Sequence, residues 1–146
     1  MACEFLYNPV QSVALNTPIL FDTSIACQRG NVYHETNTGN FILKGSSNGC
    51  NQFAQYQVTF NGNISNPTDT TPIAVALTVN GEPRLTSRAI FTPSAANDYG
   101  NVTSTAIIKV PRCCCFSLSV DYVSPNGTPA PNINVQNANL TITRIA

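Results

Sequence analysis

The feature that most constrains this chain is an alternation of apolar and polar side chains with a period of two residues. It recurs in the segments FAQYQVTF (53–60), IAVALTV (73–79), FSLSVDY (116–122) and NLTITRI (139–145). Successive side chains of a β-strand point to opposite faces of a sheet, so this period predicts strands with one buried face. No segment shows the apolar stripe that an amphipathic helix requires.

The same alternation predicts which side chains form the core. Ser117 and Thr141 fall on the outward faces of their strands. In the strand that follows Pro111, Cys114 has the same parity as Phe116, so we expect it to be a small, buried apolar residue. The expected core positions are Leu77, Cys114, Phe116, Leu118, Val120, Leu140 and Ile142.

Turn signals separate these segments. Asn80-Gly81 directly follows the strand 73–79, and this dipeptide is a strong hairpin signal because a type I′ turn needs positive φ at both positions. Asn48-Gly49, Asn61-Gly62 and Asn126-Gly127 are expected to be turns as well. Short strands about 8–12 residues apart with turn signals between them indicate an all-β sandwich or barrel.

The length suits a single domain. A chain of 146 residues is long enough for one substantial core and too short for two. Residues 13–146 are predicted to form that domain. Residues 1–12 precede the first clear strand, and we expect them to form an N-terminal arm.

The chain is unusually poor in charge. Charged residues make up 10% of it, and 7 basic residues balance 7 acidic ones, whereas typical domains contain about 25% charged residues. A binder of nucleic acid or of an anionic membrane would show a basic excess, so neither partner is expected. A neutral surface does little to keep copies apart, which favours self-association.

The N-terminal residues bear on where the protein is made. MACEFLYNPVQSVALN lacks the basic and apolar regions of a signal peptide, so we expect synthesis in the cytoplasm without export by that route. Six cysteines are unusual in that compartment, which keeps thiols reduced. One resolution is a protein that is made inside a cell and meets oxygen only after lysis.

The order of the segments resembles a known family. TPILFDT is followed by GNVYHETNTGNFILKG and FAQYQVTF, and then by TPIAVALTVNGEP, TSTAIIKVP, FSLSVDYVSP and NVQNANLTITRIA. Over residues 13–146 this order is similar to the bacterial form of the tumour-necrosis-factor/complement-type globular head. That head occurs in collagen-like spore-surface glycoproteins and in phage structural proteins. The resemblance implies an antiparallel jelly-roll sandwich of two sheets that associates as a homotrimer.

The resemblance also implies a function. We expect a non-enzymatic, self-assembling structural subunit of an extracellular bacterial surface layer or fibre, first of all on the spore surface, stabilised by disulfides. The alternatives are a phage virion protein, such as a head fibre or decoration trimer, and a lectin-like receptor-binding module. The chain departs from the family in having no Gly-X-Y stalk and in carrying a cysteine triplet where a plain turn is more usual.

The triplet at 113–115 is the most unusual motif. A zinc site needs cysteines spaced to surround one tetrahedron, and a redox site needs C-x-x-C at a helix N-terminus; because neither is present, no metal and no cofactor are expected. On a strand, Cys113 and Cys115 would face away from Cys114 and could bond Cys3 of another subunit. The alternative is that the cysteines are reduced or paired within the chain. The candidates for disulfides are Cys3, Cys27, Cys50, Cys113 and Cys115.

Catalytic signatures are missing from the sequence. The single histidine, His34, precedes Glu35, and adjacent strand residues point apart, so the two do not form a dyad. Neither a nucleophile elbow nor a glycine-rich phosphate loop occurs, and an enzyme is not expected. Carbohydrate is a candidate partner through an aromatic platform, although aromatic residues more often cover a core. The platform residues would be Phe5, Tyr7, Tyr33 and Tyr99.

Overall fold

A computed structural model describes residues 2–25, 31–46, 52–127 and 131–146. Cys27, Cys50 and Asn48-Gly49 lie outside the described residues. Within them, no helix is long and apolar enough to cross a membrane. The elements are β1 (Ala2–Tyr7), β2 (Gln11–Val13), β3 (Thr23–Ile25), β4 (Val32–His34), β5 (Phe41–Lys44), β6 (Phe53–Ser65), β7 (Ile73–Val79), β8 (Glu82–Pro83), a 3₁₀ turn (Leu85–Ser87), β9 (Ala89–Phe91), β10 (Tyr99–Pro111), β11 (Cys115–Val123) and β12 (Ile133–Arg144).

The strands form two antiparallel sheets. Sheet A has the order β10-β6-β12-β1-β3, and β2 pairs with β12. Sheet B has the order β4-β5-β11-β7-β8, and β9 pairs with β7. Each sheet turns one face inward, because the strands alternate buried and exposed residues along most of their length. The predicted all-β sandwich of two antiparallel sheets is confirmed.

An aromatic cluster joins the two sheets inside the sandwich. Phe5 of β1 meets Phe41 of β5 edge to face, with 4.7 Å between ring centroids. Phe21 meets the same Phe41 at 5.6 Å, also edge to face. All three rings are buried. Edge-to-face pairs of this kind add to the free energy gained by burying the rings themselves.

Most of the predicted core positions are buried, and one is not. Leu77, Leu118, Val120, Leu140 and Ile142 are each at most 1% exposed, and Phe116 is half-buried against the core. Cys114 is exposed, so its prediction as a core residue is wrong. The physical reason is that β11 begins at Cys115, and strand parity does not extend into the turn before it.

The predicted N-terminal arm is a strand instead. Residues 2–7 form β1, which lies between β12 and β3 and pairs with β12 from Ala2↔Thr143 to Tyr7↔Ala138. The segment ACEFLY also alternates, and its inward residues Cys3 and Phe5 are 1% and 2% exposed. Residues before residue 13 are therefore part of the sandwich and not an arm outside it.

Two Asn-Gly pairs behave differently. Asn80 and Gly81 have φ of 52° and 83°, as the predicted hairpin turn requires. Asn61-Gly62, however, lies inside β6 and is not a turn. A Cβ at Gly62 would stand 2.8 Å from the ring of Phe60, so this glycine makes room for a core ring.

Candidate functional site

The outward side of sheet A, which we call the A face, carries rows of Thr and Asn. Thr59 of β6 lies between Thr105 of β10 and Thr141 of β12 in the pairing register. In the next row, Asn61 lies between Thr103 and Asn139. Because side chains two residues apart share a face, these rows form one continuous surface across the three longest strands.

The side chains of the A face bind one another. The hydroxyls of Thr59 and Thr105 lie 3.0 Å apart. Asn101 donates from Nδ2 to Oδ1 of Asn61 at 2.8 Å and to Oδ1 of Asn63 at 3.1 Å. Polar groups that already have partners in the protein lose less when water is removed from them. The A face can therefore be covered at a low cost in hydrogen bonds.

Charge is nearly absent from this face. Among the described strand residues that point outward from sheet A, only Glu4 and Lys109 are charged. Glu4 accepts a hydrogen bond from Nδ2 of Asn139 at 2.8 Å. The buried cores of protein interfaces are depleted in charged residues, so this composition suits a protein contact.

The edge strand beside the A face is long and unpaired on its outer side. β10 has 13 residues and ends the order of sheet A, and no described strand pairs with its free edge. It exposes Ile107 to 54% and Tyr99 to 42%. Native proteins rarely leave a long, apolar edge strand open, because its free N–H and C=O groups template pairing with other chains. Within the copy, Nη1 of Arg84 donates to the carbonyl oxygen of Ile107 at 3.4 Å, and a strand of another chain could pair with the rest of this edge.

The cysteine triplet lies in a turn and at the start of the strand after it, which together join the two sheets. We call residues 111–115 the thiol turn. The N–H of Cys114 donates to the carbonyl oxygen of Pro111 at 3.1 Å, and Cys113 has φ of 63°. This combination is that of a type II turn, whose third residue needs positive φ. The expectation that the three cysteines share one strand is wrong, and all three are exposed, free thiols.

Backbone hydrogen bonds hold the thiol turn in place. The N–H of Gly45 donates to the carbonyl oxygen of Cys114 at 2.8 Å, and the N–H of Cys113 donates to that of Ser46 at 3.1 Å. On the other side, the N–H of Arg112 donates to the carbonyl oxygen of Gln52 at 2.8 Å. A Cβ at Gly45 would stand 1.9 Å from the oxygen of Pro111, so only glycine fits there. The turn backbone is fixed while its thiols face solvent.

Basic residues lie near the thiols. Lys44 of β5 is the register partner of Cys115, and cross-strand neighbours have Cβ atoms about 4.5–5.5 Å apart. Arg112 is exposed within the turn itself. Lys109, near the end of β10, lies over the ring of Phe53, with Nζ 5.9 Å from the centroid. This end of the sandwich is therefore locally basic although the whole chain is neutral.

Cys3 cannot play the role that the sequence suggested. It points into the core of sheet A, is 1% exposed and is disulfide-bonded. The three thiols of the triplet are not its partners, since they are free. A bond between Cys3 and the triplet of another subunit is therefore excluded by burial.

The other predicted site residues do not converge. His34 stacks on Phe41 with 4.3 Å between centroids and donates from Nε2 to the carbonyl oxygen of Thr38 at 2.9 Å, a packing role. Phe5 is buried, whereas Tyr33 and Tyr99 lie on different sheets, so the aromatic platform does not form. Across the described ranges we find no cavity and no group of side chains arranged to hold a metal ion.

The A face was missed as a site in the sequence, although a signal was present. The outward side chains of β6 include Gln, Thr and Asn, and those of β10 include Thr and Asn. They carry hardly any charge, and this pattern becomes visible once the strands are aligned. The alignment itself depends on the register of β6 between β10 and β12, which single-strand alternation does not supply.

No family model matches the sequence, and no curated protein is significantly similar to it. Solved structures share its fold. Eiger TNF from S. frugiperda has a TM-score of 0.69 at 13% identity, covering 100% of this chain and 92% of that one. Murine APRIL has a TM-score of 0.65 at 12% identity, covering 99% of this chain and 100% of that one. The globular domain of zebrafish complement 1qA protein has a TM-score of 0.63 at 13% identity, covering 99% of this chain and 97% of that one.

These likenesses establish the fold and nothing finer. The chain is a jelly roll of the TNF/C1q type.

Proposed function

We propose that the chain is a non-enzymatic structural subunit that assembles as a homotrimer through the A face and the edge of β10. Its place is an extracellular bacterial surface layer or fibre, first of all the surface of a spore. The observation that carries the proposal is a nearly uncharged sheet face whose side chains hydrogen-bond one another. This face adjoins a long edge strand that no described strand covers.

The two surfaces differ from each other, which determines the kind of assembly. A contact between the edge of one copy and the A face of the next is heterologous, that is, head to tail. Heterologous contacts form a ring if the rotation between copies closes, and a filament if it does not. A homotrimer built in this way is a closed ring, and it covers the outer edge of β10 in each copy.

A charge placed on the A face tests the proposal. Thr103 is exposed on β10, and Thr103→Lys would put an unpaired ammonium into the contact. The matched control is Thr36→Lys, in the exposed turn between β4 and β5 at the far side of the sandwich. Sedimentation velocity at micromolar concentration should give a trimer for the wild type and the control, and a monomer for Thr103→Lys.

Thermal unfolding of each variant serves as the folding control. A Thr103→Lys variant that stays folded and still sediments as the wild-type trimer would contradict the use of the A face. The location is tested separately by antibody labelling of intact spores. Labelling confined to virions would favour the virion alternative, and labelling of neither would contradict the surface role.

A further inference from the structure

We propose that the thiol turn is a site of covalent linkage between copies of this chain, in which the turn of one copy forms disulfides with the turn of another. This inference deepens the proposed structural role. It relies on that role only for the number of turns that each assembly presents. The linkage itself depends on the chemistry and geometry of residues 111–115.

The first support is that the three cysteines are exposed at positions where the geometry of the turn does not call for cysteine. Cysteine is among the most buried residue types, yet Cys113, Cys114 and Cys115 are all exposed. Cys113 also has φ of 63°, a region in which glycine or asparagine sits with less strain. A strained backbone that the fold tolerates at an exposed reactive group points to a functional use of that group.

The second support is that, among the described residues, neither the adjacent cysteines of the triplet nor Cys3 offers a partner within one copy. The peptide bonds of the described residues are all trans, so adjacent cysteines have Cα atoms about 3.8 Å apart, below the usual 4.4–6.8 Å of a disulfide. Cys3 is buried and already disulfide-bonded. Among the described cysteines, the thiols that remain for a bond between copies are those of the turn itself.

The reaction is thiol–disulfide exchange with a small-molecule disulfide such as oxidised glutathione. A turn thiolate attacks one glutathione sulfur, forms a mixed disulfide and releases one reduced glutathione. A thiolate from the second turn then attacks the protein sulfur and releases the other. The two cysteines lose two electrons and two protons in total. The two reduced glutathione molecules that are released carry these electrons and protons.

The compact size of the turn limits each copy to one covalent partner. The Cα atoms of Cys113 and Cys115 are at most about 7 Å apart, because each residue spans at most about 3.6 Å. A domain of about 100 residues has a radius of gyration of about 13 Å, so a first linked copy crowds the approach of a second copy to the same turn. Several bonds can form between the same two turns, but the covalent product contains two chains.

Charge gives the linkage a distinctive salt dependence. Two facing turns each bring Arg112 and the Lys44 beside Cys115, so they repel each other before bonding. Salt shortens the Debye length from about 30 Å at 0.01 M to about 3 Å at 1 M, which weakens that repulsion. Linkage of two copies should therefore become faster as salt rises, whereas linkage to an acidic partner would become slower.

The test uses the full chain, purified in reduced glutathione and then given oxidised glutathione in excess. A denaturing gel without reductant should show a band of two chains, and peptide mapping should find disulfides that join residues 113–115 of both. The band should form at least several-fold faster at high salt. The variant with serine at all three positions should lose at least nine-tenths of it.

A relocated thiol is the matched control. Thr36→Cys, made in the triple-serine variant, carries an exposed thiol on a turn at the other side of the sandwich. If it links as fast as the wild type, the bonds reflect random collision and the proposal is overturned. Disulfides confined to one turn, stable glutathione adducts alone, or a ladder beyond two chains would each overturn it too.

The proposed trimer and the proposed linkage fail in different measurements. Under native conditions, trimers joined through their turns should give particles much larger than one trimer. A native mass of only two chains, with the mapped disulfides present, would contradict the trimer and leave the linkage intact. A native trimer without covalent pairs would contradict the linkage and leave the trimer intact.

Discussion

The hydroxyl of Tyr56 lies 2.5 Å from the carbonyl oxygen of Lys44, and this contact joins sheet A to sheet B beside the thiol turn. Tyr56 is fully buried in β6, and the carbonyl oxygen of Asn31 lies 3.2 Å from the same hydroxyl. Lys44 pairs with Cys115, so the bond fixes the strand that carries the turn. Burial raises the pKa of Tyr56, an effect that the nearby Arg144 partly offsets.

Tyr56→Phe should lower the free energy of unfolding by about 1–2 kcal/mol, because it leaves a buried carbonyl without its donor. Since the raised pKa keeps the folded phenol protonated, the wild type should lose stability as pH rises above 10.0, the ordinary pKa of tyrosine, and the variant should lose less. Urea unfolding at pH 7 and pH 10.5 checks both. Tyr33→Phe, at an exposed position, is the control and should change stability little.

Leu118→Ala should cost about 2–5 kcal/mol, since it opens a cavity at the centre of β11. Leu118 is 1% exposed and belongs to the main core. Ile90→Ala, at a position that is 50% exposed, should cost far less. Equal losses in chemical unfolding of the two variants would show that the inward side of sheet B is assigned to the wrong residues.

Cys113→Gly should raise the free energy of unfolding by about 0.5–1 kcal/mol. Glycine removes the strain of a left-handed conformation, an effect that its larger freedom in the unfolded chain partly cancels. Cys115→Gly is the contrasting change, because Cys115 lies in a strand and should lose stability instead. The two changes in denaturation midpoint should have opposite signs, and a loss at position 113 would argue against the type II turn.

Asp121→Asn should stabilise the fold at neutral pH by less than about 1 kcal/mol, because the carboxyl keeps some contact with water. Burial raises the pKa of Asp121 above 3.8, and the hydroxyl of Ser119, 2.7 Å away, opposes that shift. The folded state therefore holds the proton more tightly, and stability falls as pH rises from the unfolded value through the folded one. Thermal unfolding between pH 3 and pH 7 should show this fall in the wild type, and a smaller one in the variant. Glu35→Gln, on an exposed turn, should behave as the wild type.

Local alternation predicted the sandwich because it records which side of each strand is buried. It identified Leu118 and Leu140 without any knowledge of their neighbours. It failed at the N-terminus, where ACEFLY was too short to stand out as a strand although Cys3 and Phe5 alternate with polar or exposed positions. The pairing of β1 with β12, at the other end of the chain, is what makes that segment a strand.

The thiol turn shows a different limit. Parity places Cys114 inward only if the strand continues through it, and the strand begins one residue later. The start of β11 depends on contacts from Gly45 and Gln52, which are distant in the sequence. The A face likewise depends on three strands being side by side, so its charge-poor surface could be recognised only from the register.

The most direct test of the account is the mass of the purified, reduced protein at micromolar concentration. Reduction removes covalent links between thiol turns, so any association must come from the A face and the edge of β10. Sedimentation equilibrium should give three times the chain mass of 15.6 kDa. A stable species of 15.6 kDa would contradict the account, because it would show that the long open edge and the uncharged face need no partner.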